Sequence, residues 1–166
     1  MTRYSLRHLV VAILTIAAAW IMFLSATRAE DAASDKTIVF VCLHGVVNSQ
    51  MAAAYFNKVA KERGLPFKAV SRGIDMYWTI PVRIQDGLAL DGLEPANVPN
   101  ALTAYEANHA SRVLAFDTIP AERRGNANVT YWSAVPLGIQ EYEAARDEIA
   151  RRVDELMPTL ANETTK

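Results

Sequence analysis

Cys42, His44, Asn48 and Ser49 fall within eight residues of one another, at the end of an apolar run and the start of a helical pattern. Cys42 is the only cysteine in the 166 residues. The chemistry open to a thiol so placed is nucleophilic attack as the thiolate; the bland alternative is a buried, inert packing residue. Ile38 to Val41 reads as a buried parallel strand. A compact turn follows, and a helix opens near Ser49, with Met51, Ala52, Ala54 and Tyr55 beginning its apolar stripe. Such a junction gathers backbone N–H groups into one concavity, and the helix dipole adds positive potential there. An anion suits that nest, and a thiol at its lip ionises more readily than a free one. The stretch therefore proposes an oxyanion site with a thiolate at its floor.

The elements that must position this loop alternate along the chain. A helix over 49–63 ends at Gly64, a common C-terminal stop. A second strand over 67–70 leads into Ser71-Arg72-Gly73. Helices follow over 81–90 and, more weakly, 103–109, where His109 suits the helix end as a cation. Third and fourth strands are expected over 112–116 and 129–134. Tyr142, Ala145, Ile149, Val153 and Leu156 share one face of a long terminal helix. Strands alternating with helices argue for a parallel sheet covered on both faces. In such sheets ligands bind beyond the carboxyl ends of the strands, which is where Cys42 falls.

Residues 1–29 have the form of an export signal. Arg3 and Arg7 precede an uncharged apolar run from Leu9 to Leu24, and Thr27-Arg28-Ala29 offers a small-residue cleavage site. The alternative is an uncleaved anchor, since Ser25 and Ala26 bring the run near spanning length. Cleavage places the folded part in a bacterial periplasm or otherwise outside the cytoplasm; retention holds it at the inner membrane. Residues 30–36 read as a polar linker, 37–160 as one domain and 161–166 as a polar tail. Removing 29 of 166 residues leaves 137, enough for a single core. The leader holds three of the 17 basic residues and none of the 18 acidic ones, so the remainder carries a net charge near −4. That balance, without a Lys/Arg cluster, gives no support for nucleic-acid binding. A single cysteine excludes an internal disulfide. Two histidines beyond the leader, without ligand spacing, give no metal site, and no cofactor motif is present.

The Cys42 segment resembles the phosphate loop of the low-molecular-weight protein tyrosine phosphatases and the related arsenate reductases. That loop has an apolar strand, Cys, five residues, Arg, Ser, a short gap and Met-Ala. Cys42, Ser49, Met51 and Ala52 match it, and Leu43-His44 is an arsenate-reductase-like start. The resemblance implies a three-layer α/β sandwich around a four-stranded parallel sheet. It makes Cys42 the catalytic residue and Leu43, His44, Gly45, Val46, Val47, Asn48 and Ser49 the anion-binding loop. It also implies phosphate, another oxyanion or a phosphotyrosine protein as the partner. Ser71-Arg72-Gly73 resembles the family's Ser-Ala-Gly. Trp132-Ser133-Ala134-Val135-Pro136 resembles the segment that carries its general acid.

Two departures bear on activity. Asn48 stands at the arginine position, and Val135 at the general-acid position. A guanidinium clamps two equatorial oxygens of a transferring phosphoryl group, whereas Asn offers neutral donors on a shorter arm. Val has no proton to give a leaving group. Gly45 stands where the family usually has Asn, and both types tolerate a left-handed backbone. The segment after the third strand, Ala115-Phe116-Asp117-Thr118, contains no resolving cysteine. A relay of internal disulfides is excluded, and arsenate reduction would need an external thiol. Asp75 and Asp117 are candidates for a replacement acid or for ordinary turn residues. Tyr77, Trp78, Tyr131 and Trp132 are candidates for an aromatic-substrate wall or for core and rim packing. Two functions remain: a phosphatase-like enzyme with weak or lost ester hydrolysis, and a non-catalytic oxyanion- or partner-binding relative.

Overall fold

A computed structural model describes residues 36–164. The expected export signal over 1–29 and all of the expected linker except Lys36 lie outside the described residues. Four strands form one parallel sheet: β1 (Thr37–Cys42), β2 (Lys68–Gly73), β3 (Arg112–Ala115) and β4 (Val129–Tyr131). Their spatial order is β2-β1-β3-β4, with β1 inside. The helices are α1 (Asn48–Glu62), α2 (Val82–Leu90), α3 (Ala104–His109), α4 (Ala121–Arg124) and α5 (Tyr142–Thr164).

Alternation along β1 builds both faces of the sheet. Ile38 and Phe40 enter a large core with Met51, Phe56, Ile149 and Val153 from α1 and α5. Val39 and Val41 enter a second, with Leu102, Ala107, Val113 and Ile119. Phe40 is wholly buried between the rings of Phe56 and Trp132. The expected three-layer α/β sandwich is thus the observed one.

Element ends differ from expectation where pairing, rather than local pattern, sets them. β2 continues through Ser71-Arg72-Gly73 because β1 supplies partners as far as Cys42. β4 stops at Tyr131 because β3 offers it only Val113, Leu114 and Ala115. The short α4 was not anticipated, although Pro120 before it and Gly125 (φ +57°) after it are start and stop signals. α5 runs past the expected tail boundary to Thr164, and Glu163 reaches Arg112 at the start of β3. Its buried stripe continues through Met157 and Leu160, while Leu156 is only partly covered. Thr103 caps α3, forming reciprocal bonds with Glu106. Glu106 also pairs with Arg72 at 2.6 Å, which fixes the end of β2 against α3.

The register places Cys42 opposite Gly73, with Phe116 and Asp117 just beyond the end of β3. The carboxyl ends of three adjacent strands therefore meet at one place.

Candidate active site

Cys42 is the last residue of β1, 6% exposed. Its sulfur lies 2.9 Å from Ser49 Oγ in the first turn of α1. Val47 occupies the N-cap and supplies no side-chain acceptor to that turn, whose first amides have no intrahelical partners. A cleft of about 260 Å³ opens over the sulfur, lined by Cys42, Leu43, His44, Val47, Asn48, Phe116, Asp117 and Leu137.

The other proposed loop residues divide by where their side chains go. Leu43 is exposed at the mouth. His44 donates from Nδ1 to the Asp75 carbonyl at 2.8 Å and stacks on Tyr77, ring centroids 3.8 Å apart. Val46 turns inward and belongs to the core, leaving only its backbone to the loop. Gly45 has φ +69°, and a Cβ there would fall 2.6 Å from Gly73 N. The left-handed backbone alone would admit Asn; the contact with Gly73 does not. Gly45→Asn is expected to destabilise the fold by about 1–3 kcal/mol, measured by urea unfolding, and an unchanged midpoint would refute the clash.

Asn48 is buried beside the cleft, and both polar atoms of its side chain are engaged by the 136–138 segment. Its Nδ2 donates to the Pro136 carbonyl at 2.9 Å, and its Oδ1 accepts from Gly138 N at 2.9 Å. The side chain joins α1 to the segment that follows Trp132. Val135 packs partly buried against the core, while Leu137 lines the cleft. Arg72 does not replace the missing arginine, because its guanidinium is held by Glu106 and the Ser71 carbonyl.

Of the two aspartates considered, Asp117 reaches the cleft and Asp75 does not line it. Asp117 Oδ2 accepts from Leu43 N at 2.8 Å, so the carboxylate sits on the first amide after Cys42. Among the four aromatic candidates, Trp132 is core, Tyr77 backs His44, Trp78 is 84% exposed and Tyr131 lies at the surface. Gln50 and Asn97 have no place in the expected site, and Ser71 enters it only through the resemblance to the family's Ser-Ala-Gly. Ser71 Oγ lies 2.8 Å from Ser49 Oγ, and Asn97 bonds both the N–H and the carbonyl of Ser71. The available signal was a Gln directly before the apolar stripe of α1. Among the described residues, no group of three or more His, Cys, Asp or Glu side chains could hold a metal ion.

A cysteine at the carboxyl end of an inner strand, hydrogen-bonded to a serine that opens the following helix, defines an α/β protein of the cysteine-phosphatase loop type. Its sequence from residue 37 to 166 matches the model of one family. The chain belongs to the low molecular weight phosphotyrosine protein phosphatase family. Among solved structures it is similar to a low molecular weight protein tyrosine phosphatase from Bacillus subtilis, 23% identical over 77% of this chain and 99% of the other, with a TM-score of 0.66. It is similar also to an arsenate reductase from Archaeoglobus fulgidus, 25% identical over 72% and 97%, with a TM-score of 0.55. A third similar structure is a YwlE arginine phosphatase solved as a Cys-to-Ser mutant with a phosphorylated active-site serine. It is 19% identical over 73% and 95%, with a TM-score of 0.62. No curated protein matched the chain.

Proposed function

We propose that this chain is an exported, phosphatase-like protein that holds an oxyanion at the Cys42 loop and hydrolyses phosphate esters weakly or not at all. The observation that carries the reading is the double hydrogen bond of Asn48. The family's reaction starts with a thiolate attacking phosphorus: the S–P bond forms, the P–O bond to the alcohol breaks, and a proton neutralises the departing oxygen. Water then cleaves the thiophosphate. Cys42, Ser49 and the first turn of α1 suit the first half of that sequence. A phosphorylated active-site serine in the YwlE mutant supports the same role for the loop nucleophile. Asn48, however, is occupied by Pro136 and Gly138, and Val135 has no proton to deliver.

The two hydrogen bonds of Asn48 also favour a second reading, in which the loop binds phosphate or a phosphorylated partner without turning it over. Hydrolysis of an aryl phosphate by wild type and Cys42→Ser decides between them. Turnover lost with Cys42 supports the enzyme; equal inactivity of both, with inorganic phosphate still bound by wild type, supports the binding protein. Arsenate reduction, the activity named for the Archaeoglobus relative, would require an external thiol here.

Export rests on Arg3, Arg7 and the run Leu9 to Leu24. Fractionation of expressing bacteria is expected to place the protein outside the cytoplasm, with an N-terminus at Glu30 if cleaved. A cytoplasmic, uncleaved chain would overturn this part of the proposal.

A further inference from the structure

We propose that Gln50 is a positioning residue for Cys42, acting through a buried run of hydroxyl groups. The proposal rests on the reading of Cys42 as the thiolate of an oxyanion loop. Cys42 Sγ, Ser49 Oγ and Ser71 Oγ follow one another at 2.9 and 2.8 Å, and Ser71 Oγ lies 3.1 Å from the Gly45 carbonyl. Ser49, Gln50 and Ser71 are 0% exposed, so water does not enter the accounting.

Each hydroxyl has one hydrogen to give. With Cys42 as a thiol, the hydrogens run outward: sulfur to Ser49, Ser49 to Ser71, Ser71 to the Gly45 carbonyl. Loss of the thiol proton to solvent reverses the run. Ser49 must then donate to the sulfur and Ser71 to Ser49, which leaves the Gly45 carbonyl without the Ser71 hydrogen. A buried carbonyl so abandoned is unfavourable.

Gln50 fills that gap. Its Nε2 lies 2.9 Å from the Asn97 carbonyl and 3.4 Å from the Gly45 carbonyl, and its Oε1 accepts from Ala96 N at 3.1 Å. An N–H can only donate and a carbonyl only accept, so the amide has one orientation. Its two N–H hydrogens therefore point at Asn97 and Gly45. The second holds the Gly45 carbonyl when Ser71 turns toward Ser49, and so favours the thiolate.

The test is alkylation of Cys42 by iodoacetamide in the full-length chain, across about pH 5 to 10. The sole cysteine makes the readout unambiguous: an S–C bond forms and iodide leaves. Gln50→Met is expected to move the midpoint to higher pH and slow alkylation at pH 7 about three- to tenfold, the worth of one hydrogen bond. In Ser71→Ala the Gly45 carbonyl keeps the same partners in both states, so the double variant is expected to alkylate like Ser71→Ala alone. An unmoved midpoint in Gln50→Met, or full additivity in the double variant, overturns the proposal. If Gln50→Met does not fold, Gln50→Glu keeps the length and the bond from Ala96 and leaves at most one donor, the proton of the buried acid. Its effect must vanish in the Ser71→Ala background; an effect of charge alone would persist and overturn the proposal. Failure of the oxyanion reading shows separately, as wild-type alkylation that inorganic phosphate does not slow.

Discussion

Asn48→Arg is expected to lower folding stability by about 2–4 kcal/mol and to give no aryl phosphatase activity by itself. The substitution removes both bonds of a buried amide at once, stranding the Pro136 carbonyl and the Gly138 N–H. Each orphaned group costs about 1–3 kcal/mol when water cannot reach it. Space is also short: a Cβ on Gly138 would lie 3.1 Å from Asn48 Oδ1 and 2.6 Å from Met51 Sδ. A guanidinium can be housed only by turning out into the cleft, which releases the 136–138 segment. Urea unfolding measures the loss. Stability equal to wild type would mean that the two bonds contribute nothing in solution.

The second large effect concerns turnover. An absent clamp costs roughly 3–4 kcal/mol of transition-state stabilisation, a hundred- to a thousandfold. An absent general acid costs about a hundred- to ten-thousandfold. If the two act independently, wild type is expected to hydrolyse an aryl phosphate roughly ten-thousand- to ten-million-fold less efficiently than a relative that has both. kcat/KM measured beside Cys42→Ser checks this, the variant giving the background that owes nothing to the thiol. Rates within a hundredfold of an intact relative would show that another group supplies the proton. Asp117, on the cleft wall, is the one to replace next. The Asn48→Arg, Val135→Asp double variant is expected to recover activity only in part, because Val135 packs against the core and Asn48 holds the neighbouring turn. Activity confined to that variant would mean that wild type is a binding protein.

The sheet was legible because its signals are local. Val-Phe-Val before Cys42, the Gly64 stop and the apolar stripe of α5 each follow from a few consecutive residues. The position of Cys42 and its neighbourhood to Ser49 followed in the same way. The use made of Asn48 was not legible, since its partners lie 88 and 90 residues away. As a type, Asn at an arginine position reads as a weak donor to an anion; only the fold reveals a clasp. Gln50, Asn97 and the use made of Ser71 escaped for the same reason, because the three meet only when β2, α1 and the segment after α2 are packed together. Asp117 was visible as a candidate but not as the acceptor of the Leu43 amide.

Gly45 and Gly73 touch backbone to backbone, and neither has room for a side chain while the other keeps its path. The atoms that exclude a side chain at 45 are backbone, so no replacement at 73 removes them. In a library that randomises position 45 alone, selection for folded protein should return glycine. Randomising 45 and 73 together should return glycine at both, because each Cβ meets the other segment's backbone. The loop is then free to vary in its side chains while this one crossing of two backbones stays closed to them.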